Sequence, residues 1–127
     1  MVTIDRNLIL KILGKKDSVD LGDMIFNLRG ICYDLRDMIN LNSNISDDFS
    51  LEIIKNLDSI YDVLKPINEK IKSPDTISGY TNSRNYLSNF TNILCTNIID
   101  LINAIKNLDI QKIIYHNNII IDLILKY

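Results

Sequence analysis

This chain has little of the side-chain chemistry on which catalysis and cofactor binding usually depend. Its 127 residues include one histidine, two cysteines and no tryptophan. The histidine, His116, has no Cys or Ser–Asp partner at a suggestive spacing, so we interpret it as a half-buried structural residue rather than a general base. The sequence also has no glycine-rich phosphate-binding loop. We therefore predict no catalytic residue and no cofactor, and a protein that is not an enzyme.

Clustered metal ligands are missing as well. Cys32 and Cys95 lack the Cys-x-x-Cys spacing of zinc sites, and both fall within helical patterns. The sequence has no Glu-x-x-His motif of the kind that binds metals inside helical bundles. Two pairs of aspartates at helical spacing lie opposite the apolar residues, namely Asp34, Asp37, Asp58 and Asp62. We predict no metal site and two buried, reduced thiols in a cytoplasmic protein, with a disulfide between two helices as the alternative.

Basic clusters and long apolar runs are also lacking. The chain has 14 basic and 16 acidic residues, and Lys15-Lys16 is its only adjacent basic pair. No stretch could follow a phosphate backbone, so we expect no nucleic-acid partner. Polar residues interrupt the apolar stretch 110–125, which falls short of the run of about 18 apolar residues that predicts a membrane span. Asp5 and Arg6 break the first apolar run, so we expect no secretory signal.

The usual helix-surface residues are scarce. The chain has one alanine, Ala104, and two glutamates, whereas isoleucine occurs 25 times and asparagine 16 times. Helical proteins commonly carry Ala, Glu and Lys on their surfaces because these residues cost least in a helix. Ile and Asn have AT-rich codons and Ala has GC-rich codons. The composition therefore indicates an AT-rich genome, such as that of a virus, a mobile element or a low-GC bacterium.

The most informative pattern present is a repeated spacing of three and four between apolar residues, which places them on one face of an α-helix. Only four glycines and two prolines interrupt the chain. The pattern gives three apolar stripes: Leu21, Ile25, Leu28, Cys32, Leu35 and Ile39; Ile53, Leu57, Ile60, Leu64, Ile67 and Ile71; and Leu87, Phe90, Leu94, Ile98, Leu101, Ile105 and Leu108. Such stripes must be buried against one another, so they predict helices packed side by side.

The polar residues between the stripes predict the helix ends. In chain order, the first predicted helix runs from Thr3 or Asp5 to Leu13, where Gly14 ends it in a left-handed cap, and the second is capped by Asp17 or Ser18 and runs to Asn40. The third is capped by Asp47 or Asp48, and the fourth runs from Thr81 or Ser83 to Asn107. The fifth is capped by Asp109 and runs from Ile110 to Lys126. Pro66 predicts a kink within the third helix, and 73–79 is a predicted turn. The segment 119–121 would also suit a strand.

Together these features predict an all-α fold. We expect one domain over residues 1–127, an antiparallel bundle of four long helices plus a short N-terminal helix.

The fourth helix carries the least expected feature of the sequence, a polar side almost without charge. Between Asn85 and Leu108, only Asp100 and Lys106 are charged. Uncharged polar residues cost less to desolvate than charges, so this side suits a surface that another helix or a protein partner covers. Mutational drift toward asparagine is the alternative explanation. The predicted protein-binding residues are Asn85, Ser88, Asn89, Asn92, Thr96, Ile99, Asn103 and Ile119, of which the two isoleucines lie off the main stripes.

The function we expect is a small intracellular protein-interaction module, with another protein or a second copy of itself as its partner. The AT-rich composition adds a viral or mobile-element inhibitor or host-modulating factor as the setting. Bacteriocin-immunity proteins and poxviral Bcl-2-like inhibitors are analogous in size and class, although no motif of either is present. Two alternatives remain open: a structural or assembly subunit of a larger particle, and a bundle enzyme that uses a buried carboxylate.

Overall fold

The chain is almost entirely helical in the part that this computed structural model describes, which is residues 5–41, 44–72 and 81–127. Over those ranges the structure has five helices and no strand: α1 (Arg6–Leu13), α2 (Lys15–Asn40), α3 (Asp47–Lys72), α4 (Thr81–Lys106) and α5 (Ile110–Ile124). This confirms the all-α prediction, and the segment 119–121 is helical rather than extended. The turn predicted at 73–79 and the helix start at Thr3 lie outside the described residues.

The four long helices form an antiparallel bundle. Both α2 and α4 pack against α3 and α5, so α2 and α4 occupy opposite corners. Contacts between helices show the alternating direction: Lys70 near the end of α3 bonds to Asp17 near the start of α2, with 2.7 Å between Nζ and Oδ2. In the same way, Asn68 near the end of α3 meets Thr91 in the first half of α4. The short α1 packs across α2, α3 and α4.

The predicted stripes form the core. Leu28, Leu57 and Leu94, one from each stripe, are completely buried. All but two of the stripe residues are buried; the exceptions are Ile39, which is half-buried, and Leu108, which is 52% exposed. Leu108 lies beyond the end of α4 with a φ of 49°, so the chain has already left the helix and its side chain no longer follows the stripe.

Two of the predicted helix caps are wrong. Asp17 and Ser18 do not cap α2, because the helix begins at Lys15 and a single residue, Gly14, separates it from α1. The carboxylate of Asp17 instead pairs with Lys70. Neither Asp47 nor Asp48 caps α3, because Ser46 takes this role: its Oγ accepts the backbone N–H of Phe49 at 3.1 Å. Both aspartates lie in the first turn, where negative charge favours the helix dipole.

The other helix ends are close to prediction. Asp5 and Asp109 cap α1 and α5 through their side-chain oxygens, and α5 ends two residues before Lys126. Gly14 ends α1 with a φ of 85° and a ψ of 172°, so its φ is positive as predicted while its ψ is extended. Glycine suits this position because it has no Cβ to clash. α3 continues through Pro66, which lies exposed.

The two cysteines are buried apart from each other. Cys32 lies in α2 and Cys95 in α4, and no α2–α4 pair of Cα atoms in the described residues approaches within 8 Å. A disulfide needs Cα atoms within about 7 Å. The alternative of an interhelical disulfide is therefore wrong, and both thiols are free.

We expect both thiols to resist modification in the folded protein. Burial raises the pKa of Cys32 from 9.0 to about 12 and that of Cys95 to about 11, so almost no reactive thiolate forms at neutral pH. A chromogenic disulfide reagent should label them slowly in buffer and rapidly after denaturation. Immediate labelling of both thiols in the native protein would contradict this arrangement.

Candidate interaction surface

The predicted binding residues lie mostly on one exposed side of α4, which we call the outer surface of α4. It is defined by Asn85, Asn89, Asn92, Thr96, Ile99 and Asn103, all of which are exposed. Ser88 and Ile119 are half-buried and lie at its edges, Ser88 on α4 and Ile119 on α5. The structure therefore brings six of the eight predicted residues onto one helical surface and places the other two beside it.

The helical period explains why this side is exposed. Leu94, Ile98 and Leu101 point the opposite way and are completely buried against α3 and α5. Because α4 is a corner of the bundle, the side opposite its core residues has no helix of the described chain over it. The possibility that another helix of this chain covers the surface is thus excluded for the described residues.

Two of the polar side chains on this surface bond to neighbouring groups. The Nζ of Lys72 in α3 donates to Asn92 Oδ1 at 2.9 Å. Thr96 Oγ1 donates to the main-chain oxygen of Asn92 at 3.0 Å, one turn earlier in the same helix. Asn92 is therefore tied to α3, which its sequence position gave no reason to expect.

Charge distinguishes this surface from its neighbour. The exposed side of α3 carries Glu52, Lys55, Asp58, Asp62 and Lys65, all exposed. On α4 between residues 85 and 106, the only charges are Asp100 and Lys106. Two helices of the same bundle, both open to solvent, thus differ sharply in the chemistry that they present.

Sequence reasoning missed two apolar residues on α4. Ile93 is 44% exposed and Tyr86 is 39% exposed. They lie two helical turns apart, on the side of α4 toward α5. With Ile99 at 39% exposure, they make the outer surface of α4 more apolar than its asparagines indicate. Ile93 follows Asn89 by four positions and precedes Thr96 by three. This helical spacing could have placed Ile93 beside them on α4 from the sequence alone.

Leu125, an exposed apolar residue just past the end of α5, lies away from this surface. It lines a cavity of about 450 Å³ between α1, α2 and the end of α5, together with Arg6, Phe26, Arg29 and Tyr127. The guanidinium of Arg6 lies 4.6 Å from the centre of the Tyr127 ring and bonds to the main-chain oxygen of that residue. These contacts close one side of the cavity rather than extend the α4 surface.

His116 lies on α5 at the edge next to α4. Its side chain is 17% exposed, as predicted for a half-buried residue. Its Nδ1 lies 2.9 Å from Asn97 Oδ1, and Asn97 Nδ2 donates to the main-chain oxygen of Ile93. Because an amide oxygen only accepts, His116 Nδ1 carries the proton in this bond. The contact joins α4 to α5.

The four aspartates at helical spacing on α2 and α3 lie on the surface of the bundle. Asp34, Asp37, Asp58 and Asp62 are all exposed, which confirms that they lie opposite the stripes. No group of three or more potential metal ligands occurs among the described residues. None of the described helices is long and apolar enough to cross a membrane.

Comparisons of the chain with protein-family models, curated proteins and solved structures give no significant match.

Proposed function

We propose that this protein is a non-enzymatic protein-interaction module and that the outer surface of α4 is its contact surface. The observation that carries the proposal is the exposure of an almost uncharged helix side on α4 beside a charge-rich one on α3. The setting that the AT-rich composition favours is a viral or mobile-element factor that inhibits or modulates a host protein in the cytoplasm.

Desolvation explains why such a surface suits binding. A charge that loses water without gaining a partner costs several kcal/mol, whereas an asparagine amide costs far less and can both donate and accept hydrogen bonds. Ile93, Ile99 and Tyr86 add apolar area that a partner can bury. Aromatic and aliphatic residues within an uncharged surround are the arrangement found at the centre of protein interfaces.

The two alternative functions have less support. A bundle enzyme needs a buried carboxylate, and no Asp or Glu in the described ranges is buried. An assembly subunit would also use an uncovered helix side, so it differs from the favoured function only in the number of copies that associate. If the protein is an assembly subunit, we expect it to form a particle of many subunits rather than a complex of defined size.

Binding at the outer surface of α4 should be detectable by capture and weakened by an introduced charge. A photoreactive residue in place of Asn103 on α4 should capture the partner in cells that produce the protein, whereas the same residue in place of exposed Asn56 on α3 should not.

With the captured partner, Asn103→Lys should weaken binding about a hundredfold, because the new charge is desolvated without a counter-charge.

Asn56→Lys is the matched control for that measurement, since it makes the same substitution on the charged helix. We expect it to leave the dissociation constant within about twofold. Equal weakening by both variants, or equal capture from both positions, would show that α4 has no special role in binding.

A further inference from the structure

The exposed residues of α4, together with the one residue that follows it, are nearly the same in both directions from Thr96. Seven positions before it and seven after it lie Asn89 and Asn103, and three positions before and after it lie Ile93 and Ile99. Eleven positions away on either side lie Asn85 and Asn107. All six of these residues are exposed, as is Thr96 itself.

A surface of this kind is complementary to a second copy of itself in the antiparallel direction. When two identical helices pack antiparallel about a two-fold axis, a residue n positions before the axis lies level with the residue n positions after it on the partner. An axis at Thr96 therefore places Asn89 of each copy level with Asn103 of the other. It also places Ile93 level with Ile99.

The chemistry of the residues around the axis suits contact. An asparagine amide has two donor hydrogens and one acceptor oxygen, so two facing asparagines can each donate and accept. Ile93 and Ile99, at 44% and 39% exposure, lie about 60° to either side of Thr96 around the helix, so they add apolar area along the two edges of the contact rather than facing each other. Spacings of three, four and seven are those with which antiparallel helices interlock their side chains.

The charges on α4 are compatible with this pairing. The one residue that meets itself at the axis is Thr96, which is small and uncharged. Asp100 lies level with Asn92, and Lys106 lies level with Tyr86, so no charge of α4 faces a like charge of the partner α4. On the exposed side of α3, where acidic and basic residues alternate, two copies would meet with several charges desolvated, which disfavours association there.

We propose that a second copy of this chain occupies the outer surface of α4, in an antiparallel pair with its two-fold axis at Thr96. This inference rests on the proposed function and names the partner. A contact made largely by one helix is smaller than the roughly 800 Å² per partner of a standard stable interface. The dimer is therefore weak and reversible.

Single cysteines test the pairing position by position. Under mild oxidation, Thr96→Cys should form a covalent dimer by itself. Asn89→Cys and Asn103→Cys should each give little dimer alone but about tenfold more when mixed. The wild-type chain, whose two thiols are buried, and Asp62→Cys on α3 should remain monomeric on a denaturing gel. The mixed product distinguishes this arrangement from a parallel pair, in which Asn89→Cys would link to itself.

Sedimentation of the purified wild-type chain provides the second measurement. It should show a monomer–dimer equilibrium that Asn103→Lys shifts at least about tenfold toward monomer and Asn56→Lys leaves unchanged. A wild-type chain that stays monomeric at all concentrations, or Asp62→Cys cross-linking as well as Thr96→Cys, overturns the self-pairing. The proposed function would then be tested separately, by whether a different protein is captured from position 103.

Discussion

Leu57→Ala and Leu94→Ala should each lower the free energy of unfolding by about 2–5 kcal/mol. Both side chains are completely buried in the middle of long helices, Leu57 in α3 and Leu94 in α4. Truncation removes apolar contacts and leaves a cavity that packed neighbours fill only partly. Urea unfolding followed by circular dichroism would measure the loss.

Asp62→Ala is the control for this pair, since Asp62 lies exposed on the charged side of α3. We expect it to change the free energy of unfolding by no more than about 0.5 kcal/mol. If the three variants shifted the unfolding midpoint equally, the assignment of buried and exposed sides on α3 and α4 would be wrong.

Asn117→Asp should also destabilise the protein strongly near neutral pH. Asn117 lies in α5 at 1% exposure, and its Nδ2 donates to the main-chain oxygen of Cys32 at 2.9 Å. A carboxylate at this position would lose that donor and would place a buried negative charge against an acceptor. An unpaired charge of this kind costs about 3–5 kcal/mol.

The same variant should recover stability in acid. A buried carboxyl without a counter-charge has a folded-state pKa raised above its unfolded value of about 3.9. Its protonated form is therefore favoured by folding, and can again donate to Cys32. Relative to wild type, stability should be highest below about pH 4 and should fall as pH rises from there through the raised pKa. A deficit that did not change with pH would contradict this reasoning.

Asn117→Leu separates the effect of charge from that of shape. The amide oxygen of Asn117 has no hydrogen-bond partner, so wild type already bears the cost of a buried polar atom. Replacing the whole amide by an apolar side chain removes that cost, and we expect a change of no more than about 1.5 kcal/mol in either direction.

The fold could be predicted from the sequence because the apolar spacing is a physical requirement of packed helices. The rows through Leu28, Leu57 and Leu94 each continue for five or six turns, and each is buried nearly from end to end. The spatial order of the helices could not be predicted, because the pairing of α2 with α5 depends on packing between segments far apart in the sequence. Cap residues were harder to predict, because Asp17 has a tertiary partner, Lys70, that no local pattern reveals.

The candidate surface could be predicted only in part. The scarcity of charge on α4 is visible in the sequence, and the exposure of Asn89, Thr96 and Asn103 follows from their position opposite Leu94. The bond from Lys72 to Asn92 and the contact of His116 with Asn97 depend on how helices lie side by side. Contacts between residues distant in sequence need the three-dimensional arrangement, so they could not be predicted from spacing along one helix.

The central claim is that the outer surface of α4 serves association and contributes little to folding. The most direct measurement is the urea unfolding and sedimentation of a single variant that combines Asn89→Lys, Thr96→Glu and Asn103→Lys. We expect a free energy of unfolding within about 1.5 kcal/mol of wild type, since each exposed change costs about 0.5 kcal/mol or less, together with complete loss of association. If the variant unfolded several kcal/mol more easily, or still associated as wild type does, the outer surface of α4 would not be a contact surface separate from the fold.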